Sequence, residues 1–340
     1  MEKVSSSSEA SAKVTSIFIY PVKSCRVISV SQAPLTPTGF RWDRQWIIVN
    51  QKGRAVTQRN EPKLALVEVE LPKEAFLEGW EPTGGSYMVI KAPGMDVLKI
   101  LLSKPHDVTD GVSLWEWSGS ALDEGAEAAN WFTKFLGKTS RLVRFNAASE
   151  NRPVDPEYAR GHNLMFSDQY PYMLLSQGSL DALNKLVNEP VPVNRFRPNL
   201  YISSILVCDS IVVDGCEPFS EDLWTEVRIN KFTFEGVKLC SRCKVKTKKL
   251  PFCFLFANNV FQVPTINQDT GIAGSEPSET LMKIRSDKVL RPNRKQQGKI
   301  YFGQNLVCKD SLTKGRGNVV KVGDPVFVLR KVSSAAEAAA

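Results

Sequence analysis

The sequence predicts a mainly β protein, an α+β chain of two β-barrel-like domains, and three observations carry that expectation. Most of the chain alternates short β-branched and aromatic runs with Gly, Pro, Asn and Asp turns, and only two segments carry a clear helical period. No glycine-rich phosphate loop follows any strand-like run, which disfavours a doubly wound dinucleotide or P-loop sheet. A length of 340 residues exceeds one average domain and suits two.

Taken in order, Val14–Tyr20 reads as a strand stopped by Pro21. Gln45–Asn50 and Arg54–Thr57 flank a turn whose Gly53 suits positive φ. Leu64–Leu71 alternates around Val67 and Val69, Tyr87–Lys91 and Val97–Leu102 flank a Pro-Gly turn, and Val108–Trp117 is a further strand. Ser120 and Asp123 suggest a capping box ahead of a helix over Glu124–Leu136, with Trp131, Phe132, Phe135 and Leu136 on one face and Gly137 at its end. The polar, proline-bearing stretch Asn146–Asn163 marks a domain boundary. A second helix begins near Ser176–Ser179 and carries Leu180, Leu183, Leu186 and Val187. Strands are expected again at Tyr172–Leu175, Asn199–Ser203, Trp224–Ile229, Lys231–Phe234 and Val326–Arg330. The expected division is a disordered tail over residues 1–13, an N-terminal domain over 14–146, a second domain over 147–332 and a disordered tail over 333–340.

Hydrophobic residues at 42% and charged residues at 24% exclude wholesale disorder. No apolar run approaches the ~18–20 residues of a membrane helix, so no span is expected. The formal charge of +8 favours anionic ligands. Its cations form no aromatic-interleaved stripe and no nucleic-acid-binding motif, so nucleic acid is not the expected partner. Seven cysteines, an odd number irregularly spaced, and only two histidines argue against a disulfide scaffold and a histidine-rich metal site, and suit a reduced intracellular protein.

The sharpest local feature is Cys240-Ser241-Arg242-Cys243. A zinc site needs further ligands, and Cys25, Cys208, Cys216, Cys253 and Cys308 form no second close pair. A thioredoxin-like dithiol expects a βαβ setting that is missing. A single thiolate, favoured by Arg242 and the lysines at 244, 246, 248 and 249, suits a soft transition metal. Two buried structural cysteines are the plain alternative.

Tyr20–Cys25 (YPVKSC), Asp43-Arg44 and Thr57–Pro62 (TQRNEP) resemble the N-terminal β domain of the mitochondrial amidoxime-reducing component family. Phe196–Asn199 (FRPN), Cys240–Cys243 (CSRC), Thr265–Gly271 (TINQDTG), Phe302–Asn305 (FGQN) and Lys321–Pro325 (KVGDP) resemble, in the same order, its MOSC domain. The resemblance spans about residues 14–332 and implies a molybdenum enzyme holding Mo-molybdopterin, with Cys243 as the protein ligand to the metal. It places Lys23, Ser24, Arg44, Ser167, Asp168, Gln169, Arg197, Asn199, Ser241, Arg242 and Asn305 around that cofactor. Arg44 and Arg197 are expected to hold it without being needed for folding. The implied activity is reduction of amidoximes, hydroxylamines and nitrite, with electrons from NADH through a flavin reductase and a b-type cytochrome. Asp168 is the candidate to help protonate the leaving hydroxyl. The alternative is a cofactor carrier or sulfur-transfer MOSC protein without reductase activity. The implied compartment is the mitochondrion, or else the cytoplasm, because the membrane anchor of the animal relatives is not read here.

One stretch departs from the family pattern. Cys243-Lys244 leads in the family almost directly to Val263-Pro264-Thr265, whereas here Val245–Gln262 intervenes, basic at first and then apolar. Its terminal Val and Gln fit translated intron borders. The expectation is a retained intron, a shifted splice site or a gene-model error, giving a poorly ordered loop that weakens cofactor binding.

Overall fold

A computed structural model of the chain describes residues 2–3, 10–103, 107–204, 217–242, 262–312 and 317–338. The fold is mainly β, built on a closed barrel of seven strands. In chain order these are β1 (Ala12–Ile19), β2 (Tyr172–Ser176), β3 (Leu200–Ser204), β4 (Trp224–Ile229), β5 (Phe232–Arg242), β6 (Ile300–Cys308) and β7 (Pro325–Lys331). Around the barrel the order is β1-β3-β2-β6-β5-β4-β7, and β7 returns to β1 through Ala12↔Val326 and Lys13↔Pro325. Only β2 and β3 pair in parallel, which requires a crossover, and α2 (Gln177–Asn184) supplies it.

Between β1 and β2 the chain builds a second β unit. A five-stranded sheet runs in the order Asp107–Leu114, Trp117–Asp123, Ser140–Phe145, Trp46–Asn50, Ala55–Val56, with α1 (Ala126–Leu136) packed on its Ser140–Phe145 strand. One hydrophobic cluster crosses the two halves, joining Trp46, Phe132 and Leu142 to Ile17, Leu174 and Phe234. The two β units are therefore packed on one another through a shared core.

The most buried strand was not expected from the sequence. β6 lies between β2 and β5 with all nine residues buried, so it carries no alternation to betray it. At its centre Gly303 takes φ +83, and an added Cβ would sit 2.6 Å from Met173 Cε and 2.8 Å from the Leu174 carbonyl. The β5 register slips beside it, between Leu239↔Gln304 and Ser241↔Tyr301. The glycine of FGQN is there for the bulge.

Several expectations need correcting. Ser120 does not cap α1; it lies in a strand and its hydroxyl donates to Glu150 Oε1 (2.7 Å), while Gly125 holds the cap position. Asp123 contributes by accepting from the Gly125 N–H (2.8 Å), and Gly137 closes the helix at φ 68 as expected. Pro62 starts a 3-10 turn over Pro62–Leu66, so only Glu68–Glu70 of the Leu64–Leu71 run is strand. The Val108–Trp117 run is not one strand: its first arm ends at Leu114, the hairpin turns at Trp115-Glu116, and Trp117 opens the second arm. α2 ends at Asn184, leaving Leu186 56% exposed. Ala12 and Lys13, read as tail, open β1, and at the other end Ala338 is buried against Leu239 and Tyr301. A third helix, α3 (Ser278–Arg285), was not foreseen.

Candidate active site

Every described residue that the resemblance placed around the cofactor lines one cavity of about 1410 Å³ between the barrel and the second β unit. Lys23 and Ser24 sit in the turn after β1, pinned where the Lys23 N–H donates to the Trp46 carbonyl (2.8 Å). Arg44 follows the Phe40–Asp43 turn, and its N–H donates to the Tyr20 carbonyl (2.8 Å). Ser167, Asp168 and Gln169 form the approach to β2. Arg152, from the polar connection between the halves, clasps that approach by donating to the carbonyls of Met165 (2.9 Å), Ser167 and Asp168 (2.8 Å). Arg197 and Asn199 lead into β3, Ser241 and Arg242 end β5, and Asn305 sits on β6. Cys243, the expected metal ligand, follows Arg242 directly in sequence and lies outside the described residues, as do residues 245–261 of the atypical segment.

Gln262, counted with that segment, is part of the cavity wall. Its side-chain oxygen accepts from Ser278 Oγ (2.5 Å) and its carbonyl accepts from Thr265 N (3.0 Å).

Backbone strain collects here. Ser24 (φ 71), Arg44 (φ 49), Trp115 (φ 56) and Arg197 (φ 55) all line the cavity in the left-handed region, which costs a non-glycine residue about 1 kcal/mol or more.

The cations are arranged unequally. Arg44 is paired with buried Asp43 (2.5 Å) and donates to Asn199 Oδ1 (3.1 Å) and the Arg197 carbonyl (3.2 Å). Arg197 and Arg242 face backbone instead: Arg197 donates to the Cys25 carbonyl (2.9 Å), Arg242 to those of Phe196 (3.0 Å) and Phe302 (2.7 Å). Among the described residues no carboxylate pairs with either, and the buried Arg242 Nε has no partner. The ring of Tyr20 lies under the guanidinium groups of Arg44 (4.4 Å) and Arg197 (4.2 Å). Burial lowers Arg197 to about 10 and pushes the Tyr20 phenol up to about 12. A half-buried cation without a carboxylate partner is costly, and the chemistry of this wall suits an anion.

A second group faces it. Lys23 donates to Asp168 Oδ1 (2.6 Å) and to the Phe166 carbonyl (2.7 Å), and Trp115 Nε1 donates to the same Asp168 oxygen (3.1 Å). Burial lowers Lys23 to about 8, although Asp168 opposes the shift. Asp168 is held well below the usual carboxylate range: Lys23 and Arg59 outweigh the opposing effect of burial. The ionised carboxylate thus favoured anchors the Lys23 ammonium at the cavity wall.

Cys25 and Cys308 are buried with thiols pushed up to about 12, so they stay protonated and inert. Cys240 packs beside the second core cluster and borders the cavity. No group of three or more His, Cys, Asp or Glu among the described residues could hold a metal. Reading residue types alone missed Arg59, Trp115 and Arg152; a bulky Trp-Glu pair between two strand-like runs was the available signal for Trp115.

Comparison with known proteins agrees with this architecture. Residues 11–139 match the MOSC N-terminal beta barrel domain and residues 161–327 match the MOSC domain. Mitochondrial amidoxime reducing component 2 of Bos taurus is 32% identical over 329 residues, covering 92% of this chain and 82% of the relative. Mitochondrial amidoxime-reducing component 1 of Homo sapiens is 31% identical over 331 residues, covering 93% and 82%. The corresponding component 1 of Mus musculus is 30% identical over 326 residues, again covering 93% and 82%. With both domains matched in order and identity sustained across nearly its whole length, the chain belongs to the mitochondrial amidoxime-reducing component family of MOSC proteins.

Proposed function

We propose that this protein is a molybdenum-cofactor-dependent reductase of N-hydroxylated compounds, amidoximes and hydroxylamines among them. The observation that carries this reading is the pair of half-buried arginines, Arg197 and Arg242, that line one cavity with no carboxylate partner among the described residues. That donor set fits an anionic cofactor: Arg offers a planar fork to phosphate oxygens, and the unpartnered Arg242 Nε is a donor awaiting one. Lys23, Ser24, Arg44, Arg197, Asn199, Ser241, Arg242 and Asn305 would hold the pterin and its phosphate, and Cys243 would bind the metal. Ser167 and Gln169 complete the wall on the Asp168 side.

Bound there, the cofactor would supply the two electrons that cleave the N–O bond. Cleavage also consumes two protons and releases water. The Lys23 ammonium, lowered by burial to about 8, is the acidic group of the Lys23–Asp168 pair, and Asp168 holds it in place through Nζ. The electron donors proposed are a b-type cytochrome and its NADH-dependent flavin reductase. The compartment proposed is the mitochondrion, after the names of the relatives; among the described residues no helix is long and apolar enough to cross a membrane.

The test is molybdenum per purified chain, then NADH-coupled benzamidoxime reduction with the two redox partners added. Molybdenum retained without reduction would make the protein a cofactor carrier and sink the reductase reading. Cys243→Ser should lose the metal and Cys240→Ser should keep it.

A further inference from the structure

We infer that Trp115 is a stacking wall for substrate, biasing this cavity toward flat, conjugated N-hydroxylated compounds such as arylamidoximes over small ones such as hydroxylamine. This rests on the reductase reading and names the substrate class of the same site.

Leu114 pairs with Trp117, so Trp115 and Glu116 are the whole loop of a two-residue hairpin. Such loops require positive φ and select Gly, Asn or Asp. Trp115 sits there at φ 56, where a bulky residue is a true outlier. Core packing does not explain the choice, because Trp115 is 48% exposed. Its ring is nevertheless firmly held. The Arg59 guanidinium lies 4.5 Å from the ring centroid, and the indole N–H donates to Asp168. One face and one edge are therefore engaged, and the half-exposed residue still lines the cavity.

Among the described residues that line the cavity, this ring has no equivalent. Tyr170 and Phe196 also line it, but they are 7% and 1% exposed and offer no open ring. The neighbours of Trp115 on this wall, Lys23, Arg59 and Asp168, are charged, so an apolar plane stands beside the ammonium proposed to deliver a proton. A planar aryl group on the indole would leave its N–OH directed along the charged wall. Hydroxylamine has no plane to stack and gains nothing from the ring.

The experiment compares the molybdenum-loaded wild type with Trp115→Gly and Trp115→Phe. Glycine accepts φ 56 freely, so this variant removes the ring without straining the turn. Benzamidoxime is titrated calorimetrically into the oxidised protein without reductant, where it binds and does not turn over. The kcat/KM ratio of benzamidoxime to hydroxylamine is then measured. An aromatic pair predicts about a twofold to tenfold weaker dissociation constant in Trp115→Gly, a similar fall in the ratio, and recovery of most of both in Trp115→Phe. An unchanged affinity and ratio would overturn the inference while leaving reductase activity standing. Molybdenum content that falls in Trp115→Gly would overturn it too, by showing that the indole contacts the cofactor. A wild type that binds benzamidoxime through Trp115 and reduces neither compound would instead sink the reductase reading.

Discussion

Arg44 and Arg197 share the ring of Tyr20 yet differ in what they leave behind when removed. Arg44→Ala strands the buried Asp43 carboxylate, and breaking such a pair costs about 3–5 kcal/mol. Arg44 therefore serves the fold as well as the site, contrary to the expectation from sequence. Arg197→Ala removes a desolvated cation that has no carboxylate, so its melting temperature should stay near wild type. A lost charge-assisted contact of about 1.5–3 kcal/mol should meanwhile lower cofactor affinity by one to two decades. Melting curves and molybdenum content of the two variants separate these outcomes. Tyr20→Phe should retain cofactor like wild type and Tyr20→Leu should not, because the ring face rather than the hydroxyl carries the guanidinium contacts. The Lys23–Asp168 pair predicts a pH signature. Burial takes Lys23 from 10.5 to about 8, so folding disfavours its ammonium and stability rises as pH climbs from about 8 toward 10.5. Asp168 has the same sign at lower pH: its carboxyl is held below the unfolded value of 3.8, so its contribution is full above about 3.8 and is lost as pH falls. In cofactor-free protein the Lys23 amine should titrate near 8 by NMR, and Asp168→Asn should move the midpoint lower. A higher midpoint would mean that Asp168 does not support the ammonium.

At the scale of elements, β6 shows where sequence reading loses its grip. Strands open on one face, such as Glu68–Glu70, announce themselves by alternation, whereas β6 is buried throughout and offers only an apolar run broken by Gly303, Gln304 and Asn305. Gly303→Ala tests the element. It combines φ +83 with contacts of 2.6 and 2.8 Å, so a loss of roughly 2–4 kcal/mol is expected, read as a lower denaturation midpoint. The helices were legible by their faces and misread at their ends: Trp131, Phe132 and Leu136 pack as expected, but tertiary partners claimed the Ser120 hydroxyl. The site was legible only through motifs. Its cations lie on separate turns and strand ends, so no local window contains the anion cradle; Trp115 and Arg59 belong to no motif role read there. The atypical segment keeps its prediction in amended form. Deleting residues 245–261 while sparing Gln262 should raise molybdenum content above that of the full chain, and equal or lower content would make the segment a tolerated loop.

For the whole molecule, the two halves are joined at a buried amide pair. Gln58 donates to Gln268 Oε1 (3.0 Å) and to the Ser24 carbonyl (2.8 Å), and Gln268 donates back to Gln58 Oε1 (3.1 Å). Either residue changed to alanine leaves buried polar atoms unpaired and should cost about 1–3 kcal/mol. The double variant should cost less than the sum, and strict additivity in denaturant titrations would deny the coupling. The same long-range logic governs barrel closure. Ala12 meets Val326, so the first stave and the locking stave are made at opposite ends of translation. Entropy penalises that meeting only mildly, since each doubling of loop length adds about 0.6 kcal/mol; the larger consequence is temporal. Until Pro325–Lys331 leaves the ribosome, the Ala12–Lys13 end of β1 lacks its partner on the edge that Ile28–Val30 covers farther along, a hazard for strand-to-strand aggregation. A nascent chain stalled before Pro325 should accordingly be cut by protease near β1 or held by a chaperone, and release of seven further residues should end both.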